Sequence, residues 1–139
     1  MVKTEITKAK IPPVGEDDSK KNAGSEIIFH GRVRDSEEDE KIIALDYECY
    51  QGMAEKKLQA LAEESIQKFN IIDLFCTHRI GEIPVGEISL RIVIWSKHRG
   101  EGLRALDWFV IELKKQVPIW KWGVTKEGKR FPSTSKYEQ

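Results

Sequence analysis

The hydrophobic period changes abruptly near residue 50, and this limits the possible folds more than any other feature of the chain. The segment KIIALDYECY (41–50) alternates and is rich in aromatic and β-branched residues, as a half-buried strand is. In QGMAEKKLQALAEESIQKFN (51–70), Met53, Ala54, Leu58, Leu61, Ala62, Ile66 and Phe69 recur at three- and four-residue steps. That spacing predicts an amphipathic helix of about five turns. A strand that runs directly into a helix excludes all-α and all-β architectures.

The other segments extend this pattern. TEITKAKI (4–11) alternates as an edge strand, VGEDDSKKNAGS (14–25) reads as a polar surface loop, and EIIFHGRVR (26–34) is β-rich. DSEEDE (35–40) holds five acids in six residues between two strand patterns, so it reads as a solvated hairpin tip, with an acidic docking patch as the alternative. IIDLFCTHRI (71–80) and EISLRIVIWS (87–96) are strand-like, with GEIPVG (81–86) as a tight connection. A second helix fits 100–117, with Leu103, Leu106, Val110, Leu113 and Val117 as its apolar stripe. Pro118 ends it, because the residue before proline is pushed out of the helical region. The remainder, about 118–139, reads as an irregular basic tail. Adjacent strand patterns suggest antiparallel hairpins. The expected class is α+β, with helices on an antiparallel or mixed sheet, in one domain spanning 1–139.

Composition narrows the function classes. The formal net charge of the 139 residues is zero, so no global basic field attracts nucleic acid. No apolar run approaches the roughly 20 residues of a membrane span. MVKTEITKAK lacks the apolar stretch of a signal peptide, which points to the cytoplasm. Cys49 and Cys76 lie in strand-like surroundings without a CxxC partner or metal-type histidine spacing, so both read as buried free thiols of a reducing compartment.

Cations near element ends are the candidates for chemistry. Arg32 and Arg34 close a strand and, by alternation, share one face. His98 and Arg99 precede the second helix, where backbone N–H groups and the dipole favour an anion. Lys114 lies near the apolar stripe, and Lys121 stands between two tryptophans in VPIWKW (117–122). Each has a plainer reading: exposed strand charges, a helix cap, a snorkelling lysine, a surface charge among packing residues. Together they suit a small anionic substrate, because arginine binds phosphate bidentately and lysine supplies charge, a proton or a nucleophile. His78-Arg79 ends a strand and reads as structural. The segment 114–130 carries six cations against one acid, with aromatics nearby. A nucleic-acid stripe is therefore a minor alternative.

FHGRVR (29–34), ALDYECYQGMAEKKL (44–58), HRIGEIPVGE (78–87), HRG (98–100) and LKKQVPIWK (113–121) occur in an order and spacing that resemble the large, catalytic subunit of molybdopterin synthase. The resemblance covers about residues 26–131. It implies an α/β-hammerhead fold with two main helices and a small additional subdomain. It also implies a sulfurtransferase of molybdenum cofactor biosynthesis, which converts cyclic pyranopterin monophosphate into the dithiolene of molybdopterin. Sulfur would arrive as a thiocarboxylate on the C-terminal Gly-Gly tail of a small ubiquitin-like subunit. Two large subunits would form a homodimer within a heterotetramer. No resident cofactor or metal is implied, since molybdenum enters after the dithiolene exists. Residue by residue, the resemblance puts catalytic roles on Lys114 and Lys121. It puts substrate contacts on Phe29, Arg34, His98 and Arg99.

The chain departs from the family pattern at several places. The glutamate usual two residues after the PIWK lysine is Gly123, the usual Ala-Phe after the second HR pair is Gly102-Leu103, the aspartate three residues before the helix lysine is Ile111, and a tail tryptophan is Phe131. A rise in activity on Gly123→Glu would show that the missing carboxylate matters. The competing reading is a divergent, non-catalytic relative that binds the sulfur-carrier tail or a phosphorylated pterin.

Overall fold

The computed structural model describes residues 1–133. The elements are β1 Val2–Thr7, β2 Ser25–Arg32, β3 Ser36–Glu37, β4 Glu40–Lys41, β5 Ala44–Cys49, α1 Met53–Phe69, β6 Asp73–Arg79, β7 Gly81–Pro84, β8 Ile88–Ser96, α2 Arg99–Gln116, β9 Ile119–Val124 and β10 Arg130–Ser133. The α+β class and both helices match the sequence reading. Two four-stranded sheets run in the orders β1-β6-β8-β2 and β10-β9-β5-β7, and β3-β4 forms a small hairpin.

Both helices cover the first sheet. In α1, Ala54, Leu58, Leu61, Ala62 and Ser65 are buried. Glu55 reaches back to accept the Gly52 N–H at 2.9 Å, and Asn70 stops the helix in the left-handed region. In α2, Gly102, Ala105, Phe109 and Leu113 are buried, whereas Leu103 is 51% exposed. The buried face is thus rotated from the expected stripe. Small residues face the sheet because α2 lies close to it: a Cβ on Gly102 would stand 2.8 Å from Ile27 Cδ1 and 2.9 Å from Ser96 Oγ. Leu106 and Val110 pack at the edge of this core. α2 ends one residue before Val117, as Pro118 requires.

The strands do not pair as sequential hairpins. β1 joins β6 in parallel, while β2 and β6 flank β8 antiparallel, which makes the first sheet mixed. The first strand begins at Val2, two residues before the expected edge strand. GEIPVG is more than a connection: Gly81–Pro84 pairs with β5, from Ala44↔Pro84 to Tyr47↔Gly81. The expected irregular tail is ordered over its described part, since β9 pairs with both β5 and β10. Residues 134–139 of that tail lie outside the described residues. The second sheet has its own small core of Val33, Ile42, Leu45 and Ile83, with Tyr47 and Phe131 against it.

DSEEDE forms a hairpin, as expected. Glu38 and Asp39 both take positive φ (51° and 61°), as a two-residue turn between right-twisted strands demands. It is not wholly solvated, because Glu37 is buried. The polar segment 14–25 carries no strand before Ser25. Lys20 ties it down, lying 2.9 Å from Asp73 and 4.9 Å from the rings of Phe75 and Trp95. Cys76 is buried, and burial pushes its thiol up; Cys49 is half-buried and also raised, and neither is in a disulfide.

Candidate active site

Strand alternation explains VPIWKW. β9 pairs with β5 in the register Glu48↔Trp120, Tyr47↔Lys121 and Asp46↔Trp122. Directly paired residues share a face, so Trp120, Trp122, Asp46 and Glu48 point one way and Lys121 and Tyr47 the other. On the outer face both indole N–H groups donate to Glu48 Oε1. Arg130 stacks on Trp122 at 5.2 Å and pairs with Asp46 at 2.7 Å. These contacts fix the outer face of the strand. Lys121 is thereby turned inward, its side chain 15% exposed.

Lys114 comes to the same place from the last turn of α2. The chain leaves the helix at Val117, whose N–H donates to Leu113 O at 3.1 Å. Tyr50 N–H then donates to Pro118 O, and β9 begins. Helix end and strand start thus bring two lysines, seven positions apart, to one cavity of about 150 Å³, walled also by Phe29, Arg34, Glu37 and His78. Phe29 reaches it from β2. Arg34 lies past the end of β2, beyond a register shift at Gly31/Arg32, so simple alternation does not set its face. Arg32 also borders the cavity and donates to Gly86 O at 2.7 Å.

His98 and Arg99 are not brought to this cavity. They border a separate open depression at the N-terminal end of α2, with Lys97, Glu101 and Arg104. His98 is the N-cap residue and makes no side-chain cap. Fifteen residues separate Arg99 from Lys114 along one helix, about 22 Å at the standard rise. The expected single cluster of four substrate contacts and two lysines is therefore divided within one chain.

Two further cavity residues come from the acidic run and from the pair read as structural. One is Glu37, whose Oε1 is 3.3 Å from Lys121 Nζ. The other is His78, 5% exposed, with its ring edge-to-face on Tyr47 at 5.1 Å. Its Nδ1 lies 2.8 Å from Arg79 O, so Nδ1 carries the proton it donates and Nε2 is the accepting nitrogen. Burial pulls the His78 pKa down to about 4, and Lys114 and Lys121 push the same way, against the Arg79 carbonyl.

The linkage has a definite sign. The unfolded chain protonates this histidine near 6.5, while the folded protein keeps it neutral to about 4. Between those values the unfolded state binds more protons, so stability falls as pH drops from 6.5 to 4. The difference amounts to on the order of 3 kcal/mol. In urea titrations across this range, His78→Gln should lose less stability on acidification than the wild type.

The basic segment 114–130 forms no open cationic stripe. Lys115, Lys121, Lys129 and Arg130 each lie within 4 Å of a carboxylate, from Glu112, Glu37, Glu40 and Asp46 respectively. Among the described residues, no three His, Cys, Asp or Glu side chains gather as a metal site, and no helix is long and apolar enough to cross a membrane.

A family model described as "MoaE protein" matches residues 5–116. The chain belongs to the MoaE family. That match takes in Lys114 and stops before Lys121. Among curated relatives, a molybdopterin synthase catalytic subunit of Pyrococcus abyssi is 43% identical over 110 residues, covering 79% of this chain and 74% of the relative. The human protein of the same name is 36% identical over 104 residues, and the match covers 75% of this chain but 55% of that one. Among solved structures, molybdopterin synthase from Staphylococcus aureus superposes with a TM-score of 0.77 at 30% identity, over 90% of this chain and 93% of that one. A complex of subunits 1 and 2 of the molybdopterin-converting factor from Helicobacter pylori superposes with a TM-score of 0.69 at 20% identity, which establishes likeness of fold.

Proposed function

We propose that this MoaE-family chain is the catalytic subunit of a molybdopterin synthase. It would transfer sulfur from the thiocarboxylated C-terminus of a small ubiquitin-like subunit to cyclic pyranopterin monophosphate, in the cytoplasm. The observation that carries this reading is the convergence of Lys114 and Lys121, from a helix end and a strand, on one small cavity beside Arg34. The names of the relatives support it.

The chemistry follows from charge. The tail ends in an anion, and a glycine tail without side chains can thread into a narrow cavity. Two ammonium groups offset the thiocarboxylate charge as its sulfur bonds to a side-chain carbon of the pterin and displaces an oxygen substituent; water then cleaves the resulting thioester, leaving the sulfur on the pterin and a carboxylate on the tail. Phe29 supplies apolar wall, and Arg34 offers a fork for the substrate phosphate. His78, neutral with an accepting Nε2, adds no competing charge.

His98 and Arg99 serve the same reaction only if a second copy places the N-terminal end of its α2 against this cavity. A homodimer within a heterotetramer meets that need. The test is complementation: a Lys114→Ala chain mixed with an Arg99→Ala chain should regain part of the activity that each lacks alone. No recovery in a mixed dimer would remove His98 and Arg99 from the site.

A further inference from the structure

The cavity contains one carboxylate that the sulfur-transfer reading does not use. Of the five acids in residues 35–40, only Glu37 is buried, with 8% of its surface exposed. The hairpin makes that selection. Ile42 N–H donates to Asp35 O at 3.0 Å and closes its base, while Val33 and Ile42 anchor both arms in the second core. The turn at Glu38 and Asp39 leaves those two acids outside. Glu37 alone is turned in, with Oε1 3.3 Å from Lys121 Nζ and Oε2 3.8 Å from Arg34 Nη2.

A buried carboxylate is costly unless it is paired, and removing its charge leaves the partner cation uncompensated. The two ends of this pair are unequal. Arg34 has a side chain 76% exposed, so its link to Glu37 is weak and easily released to another anion. Lys121 is 15% exposed, so its link is the constrained one. Gly123 lies two residues on, along the same face as Lys121. It offers no side chain, and the Phe131 ring covers it. Any carboxylate for Lys121 must come from another element, and the acidic hairpin provides it.

We propose that Glu37 is a positioning residue for Lys121. Its carboxylate fixes the ammonium in the cavity and cancels one of the site's positive charges, leaving Arg34 to take the incoming anion. This rests on the sulfur-transfer reading for its consequence, though not for the contact itself.

The experiment has two arms on the intact protein. In the first, amine acylation of the free protein is followed by peptide mass spectrometry. Glu37→Gln should raise the labelling rate of Lys121 several-fold and leave that of Lys115 unchanged; equal Lys121 rates in wild type and variant would overturn the contact. In the second, turnover is measured with the thiocarboxylated small subunit and the cyclic pterin. Glu37→Gln should lower kcat about tenfold, as loss of a charge-assisted contact that orients a reacting group would. KM for the anionic pterin should stay level or fall, because the cavity gains positive charge. Glu37→Asp should recover part of kcat. A purely structural hairpin role would instead lower the thermal midpoint and raise KM, and that pattern, or an unchanged kcat, would overturn the proposal. A wild type that binds its partner without turnover would count against the sulfur-transfer reading, and the labelling arm would still decide the Glu37 contact.

Discussion

Lys114→Ala is expected to lose about 10²–10⁴-fold in turnover, the range for removal of a placed proton-transfer or charge-stabilising group. The fold should survive. Lys114 stands in the last turn of α2, where alanine is at least as good a helix former, and the neighbouring Leu113 and Val117 keep the core. The dimer and the small-subunit complex should therefore still form. Lys114→Arg should not restore the rate, because a planar fork places its charge differently from an ammonium. The checks are initial rates of dithiolene formation, circular dichroism and size-exclusion chromatography with the partner. Full activity in Lys114→Ala would end the assignment.

Gly123→Glu is the second large effect, and the Phe131 ring sets its direction. A Cβ at position 123 would fall 2.4 Å from Phe131 Cζ, with two further ring atoms within 3 Å. Gly123 is paired with Leu45 on one side and Phe131 on the other, so the far end of the ring sits against it and the backbone is fixed on both sides. Displacing the ring costs about 1–3 kcal/mol in overpacking. A carboxylate set against Leu45 must compete with Glu37 for Lys121, and whichever carboxylate loses is left unpaired at a cost of about 1–3 kcal/mol. The variant should lose stability in denaturant titrations and lose activity. Gly123→Glu combined with Phe131→Ala opens space for the new side chain and should recover part of the stability. A single Gly123→Glu variant of wild-type stability and higher rate would show that the ring is not an obstacle.

The period change at residues 41–70 made β5 and α1 readable because local pattern and tertiary burial agree there. Elsewhere they diverge. In α2 the large residues at 103, 106 and 110 form the apolar stripe, but the sheet is approached by Gly102 and Ala105, since only small residues allow the close crossing at Ile27. β7 was hidden because its Gly and Pro are turn residues, and only its distant pairing with β5 makes it a strand. β9 was hidden because its tryptophans face outward, with Trp120 40% exposed, and its inward face carries a lysine and a glycine.

The site was legible to the same degree. Lys114, Lys121, Phe29 and Arg34, named from the family resemblance, line one cavity. His78 carried a signal that went unused: alternation along β6 puts it on the buried face with Leu74 and Cys76. Glu37 carried none, because five acids in a row look alike until the hairpin register chooses among them. The division of His98 and Arg99 from the lysines follows from the length of α2, which the helix read over 100–117 already implied.

The most direct measurement mixes the purified chain with a thiocarboxylated small subunit and cyclic pyranopterin monophosphate, and follows dithiolene product by its oxidised fluorescent derivative. Product should form in proportion to thiocarboxylate consumed, two sulfurs for each pterin. Stable complexes with both the partner and the pterin, and no dithiolene at any protein concentration, would contradict the account and identify the chain as a binding relative.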